Sequence, residues 1–192
     1  MNEFPEWLAA TLASDATEGQ GVLPSWIHAL TPEARAVGPA FVALMSQDDN
    51  LSVREALKAS PPPGSVLVVA GGSTSRTATI GGLLALEMKQ AGIVALVTDG
   101  LVRDAKEIRQ LRFGVWCRGN TPIASHKNGP AVVGGSVSIG GTLIRDGDLV
   151  IADEDGVVIW PKEDIDNLLA KAQAKLQQDN ARLAQLQDQS LS

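Results

Sequence analysis

Three apolar strand-like runs, each separated from the next by one helix-length segment, constrain this chain most. Val66–Ala70 reads Val-Leu-Val-Val-Ala, residues 93–98 read Ile-Val-Ala-Leu-Val-Thr, and Gly114–Cys117 reads Gly-Val-Trp-Cys. An apolar run without polar alternation marks a strand buried on both faces, the habit of parallel sheets. Between the runs, residues 78–91 and 105–111 read as helices, and Gly92 is placed to end the first of them as a left-handed cap. This β-α-β-α-β rhythm predicts parallel strands joined by right-handed crossovers.

The flanking sequence extends that core. Residues 36–45 read as a strand opened by Val37-Gly38-Pro39. Residues 52–60 read as a helix with Ser52 as its N-cap, and Pro61-Pro62-Pro63-Gly64 is a hard stop behind it. Residues 6–14 read as a short amphipathic helix and residues 24–30 as a second. After about residue 130 the texture changes. Residues 132–133, 137–139, 142–144, 149–152 and 157–160 are short apolar stretches with Gly or Asp-Gly between them, which predicts antiparallel hairpins. Beyond Pro161, residues 163–186 form one helical pattern, apolar at Ile165, Leu168, Leu169, Ala172, Leu176, Leu183 and Leu186, with a Gln-rich face that is solvated or packed on a sister subunit. The expectation is one α/β domain over residues 1–161, with parallel βαβ units followed by short antiparallel strands, and a helical extension over residues 162–192.

Composition narrows the function. The net charge of −6, with no basic cluster, argues against nucleic acid as the main partner. No run approaches the roughly 20 apolar residues of a membrane span, and the acidic start Met1-Asn2-Glu3-Phe4-Pro5-Glu6 lacks the features of a secretion signal. A cytoplasmic location is expected. The single cysteine, Cys117, excludes an internal disulfide and a cysteine-based zinc site; inside an apolar run it reads as a core thiol.

Chemistry concentrates in Thr98-Asp99-Gly100-Leu101-Val102-Arg103-Asp104, followed by Ala105-Lys106-Glu107. A strand, a glycine turn and a charged helix start is where α/β proteins place reactive groups. Arg103 is a fixed cation and Asp104 a hard anionic donor. Glu107, three residues on, can share a helical face with Asp104. A cation beside two carboxylates suits an oxyanion held next to a divalent metal. The same residues also fit a plain surface charge pair at a helix start, where the dipole favours Asp without any function. Gly81-Gly82-Leu83-Leu84 is open to two readings as well: glycines that let an anion approach backbone N–H groups, or glycines that only allow close packing on the sheet. No Walker or Rossmann pattern is present. His28 and His126 are far apart and show no zinc spacing. Ser73 and Ser75 lack a nucleophile-elbow context, no lysine has a setting for Schiff-base chemistry, and Asp48-Asp49-Asn50 reads as a turn or helix cap.

Taken in order, these segments resemble the RraA-like family, which includes the 4-hydroxy-4-methyl-2-oxoglutarate aldolases. The resemblance covers residues 37–161. It rests on Val37-Gly38-Pro39-Ala40, Pro63-Gly64-Ser65-Val66-Leu67-Val68-Val69, Ile80-Gly81-Gly82-Leu83-Leu84-Ala85, Asp99-Gly100-Leu101-Val102-Arg103-Asp104, and the stretch Arg145-Asp146-Gly147-Asp148-Leu149-Val150 continuing to Val158. It implies a swivelling β/β/α domain, in trimers or dimers of trimers. It also implies a lyase that uses Mg²⁺ or Mn²⁺ to form a pyruvate enolate from a small 2-oxo acid, by retro-aldol cleavage or by decarboxylation of oxaloacetate. On that resemblance Arg103 holds the pyruvyl carbonyl oxygen, Asp104 ligates the metal, and backbone N–H groups around Gly81, Gly82, Leu83 and Leu84 bind the substrate carboxylate. One position departs from the family. Many of its aldolases carry an acid twenty-one residues before the arginine, where this chain has Gly82. Glu107 is the acid placed to serve the metal's waters instead; the alternative is a solvent-exposed helix carboxylate. Other RraA-like proteins bind and inhibit an RNA-degrading endonuclease, which implies a second reading as a non-catalytic regulator.

Overall fold

The apolar runs lie side by side at the centre of one sheet. The computed structural model describes residues 4–189, so Met1, Asn2 and Glu3 of the acidic start lie outside the described residues. In chain order the elements are α1 (Ala10–Ala16), β1 (His28–Ala29), β2 (Ala36–Leu44), α2 (Leu51–Lys58), β3 (Val66–Ala70), β4 (Ala78–Ile80), α3 (Gly82–Gln90), β5 (Ala95–Thr98) and β6 (Leu101–Val102). There follow α4 (Ala105–Gln110), β7 (Gly114–Cys117), β8 (Gly119–Asn120), β9 (Val132–Val133), β10 (Ser136–Ile139), β11 (Thr142–Arg145), β12 (Leu149–Asp153), β13 (Gly156–Trp160) and, after a 3₁₀ turn at Lys162–Asp164, α5 (Ile165–Gln189).

The main sheet runs β1-β7-β5-β3-β2-β12-β13, with β9 also on β2. Its centre, β7-β5-β3-β2, is parallel, while β1, β9, β12 and β13 join antiparallel. Strand β2 serves two partners in succession: Ala36–Pro39 pairs with β12, and Ala40–Leu44 pairs with β3. The expected mixture of parallel strands, short antiparallel strands and a long C-terminal helix is therefore the observed fold class.

Period-2 alternation assigns the sheet's side chains to its two faces. Val66, Val68, Val97 and Trp116 pack with Val137, Ile139 and Ile144 of the β10–β11 hairpin. Leu67, Val69, Leu96, Val115 and Cys117 pack under the helices, against Val53, Leu84, Met88 and Ile108. Helices α1 and α5 share a third cluster with β12 and β13 through Leu8, Ala13, Ile151, Val158, Leu168 and Ala172. From residue 177 to residue 189 α5 is exposed. Among the described residues no helix is long and apolar enough to cross a membrane.

Three readings of the sequence need correction. Residues 24–30 are not a helix: Ile27 closes one turn onto Pro24, and His28 and Ala29 then pair with the open edge of β7 at Cys117 and Trp116. Ser52 is not the cap of α2. Asn50 holds that position, the Asp49 carboxylate accepts the Leu51 N–H at 2.9 Å, and Ser52 is buried inside the helix with its hydroxyl unpartnered. Residues 78–80 are a strand rather than the start of a helix, because Thr79 and Ile80 are β-branched and β6 offers a parallel partner. The helix begins at Gly82, with Gly81 as its N-cap.

Candidate active site

Strands β4, β6 and β8 form a second, small parallel sheet. It explains how residues about twenty apart in sequence come together. Ala78 pairs with Leu101 and Ile80 with Val102, and the Arg103 N–H donates to the Ile80 carbonyl at 3.0 Å. Parallel neighbours leave a sheet side by side, so Gly81-Gly82 and Arg103-Asp104 emerge together from adjacent strand ends.

Asp104 is the N-cap of α4, with φ 56° in the left-handed region, and its side chain makes no capping bond to its own helix. Asp tolerates that conformation better than most residues. The turn sends its carboxylate across to the next helix instead, where Oδ2 accepts the Gly82 N–H at 3.0 Å. The same oxygen lies 3.6 Å from Arg103 Nε. Because Asp104 precedes α4 rather than occupying its first turn, a shared helical face does not by itself bring it to Glu107. Gly82 does: a Cβ placed on Gly82 would meet Glu107 Cβ at 3.1 Å and Asp104 Cβ at 3.4 Å. The two acids thus flank one point. Gly81 is equally confined, since a Cβ there would lie 2.5 Å from Asp104 Oδ2 and 2.9 Å from Arg103 Nε.

The first N–H groups of a helix have no intrahelical acceptor. In α3 the Gly82 N–H goes to Asp104 and the Ala85 N–H returns to Gly81. The Leu83 and Leu84 N–H groups are left at the positive end of the helix dipole, a ready anion site. Both residues line a cleft of about 110 Å³ with Gly81, Arg103 and Asp104, together with Asn50, Arg54, Ser125 and Lys127. On its other side the Arg103-Asp104 pair borders a second hollow of about 360 Å³ with Asn120, Thr121 and Pro122.

The structure therefore gathers Gly81, Leu83, Leu84, Arg103 and Asp104 at one cleft, with Gly82 buried behind Asp104 and Glu107 against Gly82. Sequence reasoning missed Asn50, Arg54 and Lys127. Asn50 is buried, its Nδ2 donates to the Thr79 carbonyl at 2.8 Å, and its Oδ1 has no partner. The Asp48-Asp49-Asn50 run was the only signal pointing there. Asp48 Oδ1 accepts the N–H groups of Arg76 and Thr77, and these bonds, Arg76's first, hold its carboxyl below the usual range. Asp49 Oδ2 accepts those of Asn128 and Gly129 at 2.7 and 2.9 Å. This turn ties α2 to both loops that border the cleft. Asp99 does similar work below the site, taking the Gly71 and Gly72 N–H groups while burial raises its pKa. His126 is exposed and does not line the cleft, and Cys117 is a core thiol whose pKa burial pushes up to about 11.

Among the described residues no three His, Cys, Asp or Glu side chains cluster as a metal cage. Mg²⁺ does not require one: it commonly takes one or two carboxylates and keeps several waters. Asp104 with Glu107 fits that kind of site.

The start of α3, Arg103 and Asp104 thus meet at adjacent strand ends of an α/β scaffold, with Glu107 on the helix that follows. The chain belongs to the RraA-like family: the family model described as Aldolase/RraA matches residues 10–159. A protein of Halalkalibacterium halodurans is 37% identical over 182 residues, covering 94% of this chain and 86% of that one. One of Halorhodospira halophila is 41% identical over 130 residues, covering 68% and 78%. Both bear the name "Putative 4-hydroxy-4-methyl-2-oxoglutarate aldolase". Among solved structures, the RNA-processing inhibitor RraA from Thermus thermophilis superposes with a TM-score of 0.73 at 32% identity, covering 81% of this chain and 93% of that one. Streptomyces coelicolor RraAS2, described as an unusual member of the RNase ES inhibitor RraA family, gives 0.78 at 28% identity, covering 92% and 93%.

Proposed function

We propose that this protein is a divalent-metal-dependent lyase that releases pyruvate from small 2-oxo acids, acting as a 4-hydroxy-4-methyl-2-oxoglutarate aldolase, an oxaloacetate decarboxylase, or both. The observation that carries this reading is that Leu83 and Leu84, at the start of α3, line one cleft with Arg103 and Asp104. The α3 N-terminus binds the carboxylate next to the reacting carbonyl. Arg103 donates to the C2 oxygen, where negative charge develops as the C3–C4 bond breaks, and it stabilises that charge more than it does the neutral carbonyl. Asp104 and Glu107 would hold Mg²⁺ or Mn²⁺, which supplies Lewis acidity at the same oxygen. The Gly82 N–H and Arg103 fix Asp104 Oδ2, so the carboxylate is oriented before substrate arrives. Retro-aldol cleavage and loss of CO₂ from oxaloacetate develop the same charge at the same oxygen, so one site can serve both. A homotrimer or hexamer is part of the proposal.

The test is pyruvate release from each substrate, with Mg²⁺ and with EDTA, by the wild type and by Arg103→Ala. Release that requires both the metal and Arg103 supports the lyase; release no faster than Mg²⁺ alone in buffer counts against it.

A second reading is a regulator that inhibits an RNA-degrading endonuclease. The names of the two solved relatives and the net charge of −6 favour it. Inhibition by contact would persist in EDTA and in Arg103→Ala, which separates it from the lyase.

A further inference from the structure

We propose that Arg54 reads the second carboxylate of a 2-oxo dicarboxylate bound at the Arg103-Asp104 cleft. The inference rests on the reading of that cleft as a 2-oxo acid site. Arg54 lies on α2 and lines the same cleft as Leu83 and Arg103. It is exposed and forms no ion pair among the described residues. Its neighbour Glu55 is held by Lys58 at 2.7 Å, so the fold leaves the Arg54 charge uncompensated.

The balance of charge in the cleft needs a second anion. Arg54, Arg103 and Lys127 line it, and Asp104 is its one acidic side chain. A monocarboxylate would be served by the α3 N-terminus and Arg103 alone. A guanidinium presents paired N–H donors that match a carboxylate in a fork, which gives Arg54 a role distinct from that of the reacting end.

The helix turn that leads to Arg54 is anchored. Asn50, one helical turn before it, donates from its backbone N–H to the His126 carbonyl at 3.0 Å and from Nδ2 to the Thr79 carbonyl at 2.8 Å. The first turn of α2 is thereby fixed to β4, the strand that leads into α3. Independently, Asn50 Oδ1 is a buried acceptor without a partner on the cleft wall. As an acceptor it cannot bind a carboxylate, so its complement is a ligand hydroxyl or a water, and the distal carboxylate falls to Arg54.

The test compares 2-oxoglutarate with 2-oxopentanoate, two unreactive five-carbon probes that differ in the distal carboxylate. Calorimetric titration in Mg²⁺ should show the wild type binding 2-oxoglutarate more tightly. Arg54→Met should weaken 2-oxoglutarate about tenfold and leave 2-oxopentanoate within about twofold, as expected for losing one charge-assisted contact. Arg54→Lys should keep part of the preference. Equal weakening of both probes, or none, with an unchanged melting curve, overturns the role of Arg54 alone. Equal wild-type affinity for the two probes does the same. A wild type that binds neither probe overturns the 2-oxo acid reading, and the inference with it.

Discussion

A Cβ on Gly82 would stand 3.1 Å from the Cβ of Glu107. The Glu107 side chain therefore occupies the space that a side chain at position 82 would enter. This gives physical content to the exchange of an acid at position 82 for one at position 107, since a residue on the neighbouring helix can present its carboxylate from the same side of Asp104. Glu107→Gln should weaken Mg²⁺ binding about tenfold or more, as losses of outer-sphere carboxylates commonly do, with no change in melting temperature because the side chain is exposed. Pairing Gly82→Asp with Glu107→Gly, which removes the Cβ that stands 3.1 Å away, should recover most of that affinity. Calorimetric Mg²⁺ titrations of the two variants decide it; unchanged affinity in Glu107→Gln would leave Glu107 a solvated surface carboxylate.

Arg103→Ala should lower kcat/KM for pyruvate release by about 10²-fold or more, the usual scale for removing a donor aimed at a developing oxyanion. Arg103 is half exposed and its ion pair with Asp104 is long, so the melting temperature should move by no more than a degree or two. Arg103→Lys should recover little, because a point charge does not replace a planar fork. Progress curves and a thermal melt on the same preparations check both parts.

Gly81→Ala should damage the site without unfolding the protein. Gly81 has φ −130°, which alanine adopts freely, so backbone strain is not the issue. The added methyl would lie 2.5 Å from Asp104 Oδ2 and 2.9 Å from Arg103 Nε. The Asp104 oxygen is a side-chain tip that can swing away, whereas Arg103, whose Cγ would also lie at 3.1 Å, must change rotamer along its length, so the expected result is a loss of activity with near-native stability. Full activity in Gly81→Ala would mean that the observed placement of the pair is not needed for turnover.

The central strands were legible because burial on both faces leaves an unbroken apolar run, and Val66–Ala70 and Gly114–Cys117 fall where the pattern puts them. The small sheet was not legible. Ala78–Ile80 and Leu101–Val102 are too short to show a period, and only their mutual pairing makes them strands. That pairing brings Gly81-Gly82 against Arg103-Asp104, so the residues of the site were visible while the reason they meet was not. Arg54 and Lys127 were invisible for a related cause. Each is an ordinary surface cation in its own segment, and only tertiary packing places both on one cleft.

Asp49 should make the protein sensitive to acid. Burial pushes its carboxyl up, but the N–H groups of Leu51, Asn128 and Gly129 outweigh burial and hold the pKa below the ordinary value. A folded-state pKa below the unfolded one contributes stability that is complete above the unfolded value, about 4, and is lost as pH falls through the folded value. Asp49→Asn keeps the shape but cannot accept on both atoms, so the Asn128 and Gly129 N–H groups lose their shared acceptor. The variant should melt a few degrees below wild type at pH 7, on the order of one or two hydrogen bonds in a protein of this size. The gap should narrow as pH falls below about 4, because the wild type then loses the same charge. Thermal melts at pH 7, 5, 4 and 3 measure it, and a gap that stays constant to pH 3 would show that the carboxylate's charge is not what holds the 126–129 loop against α2.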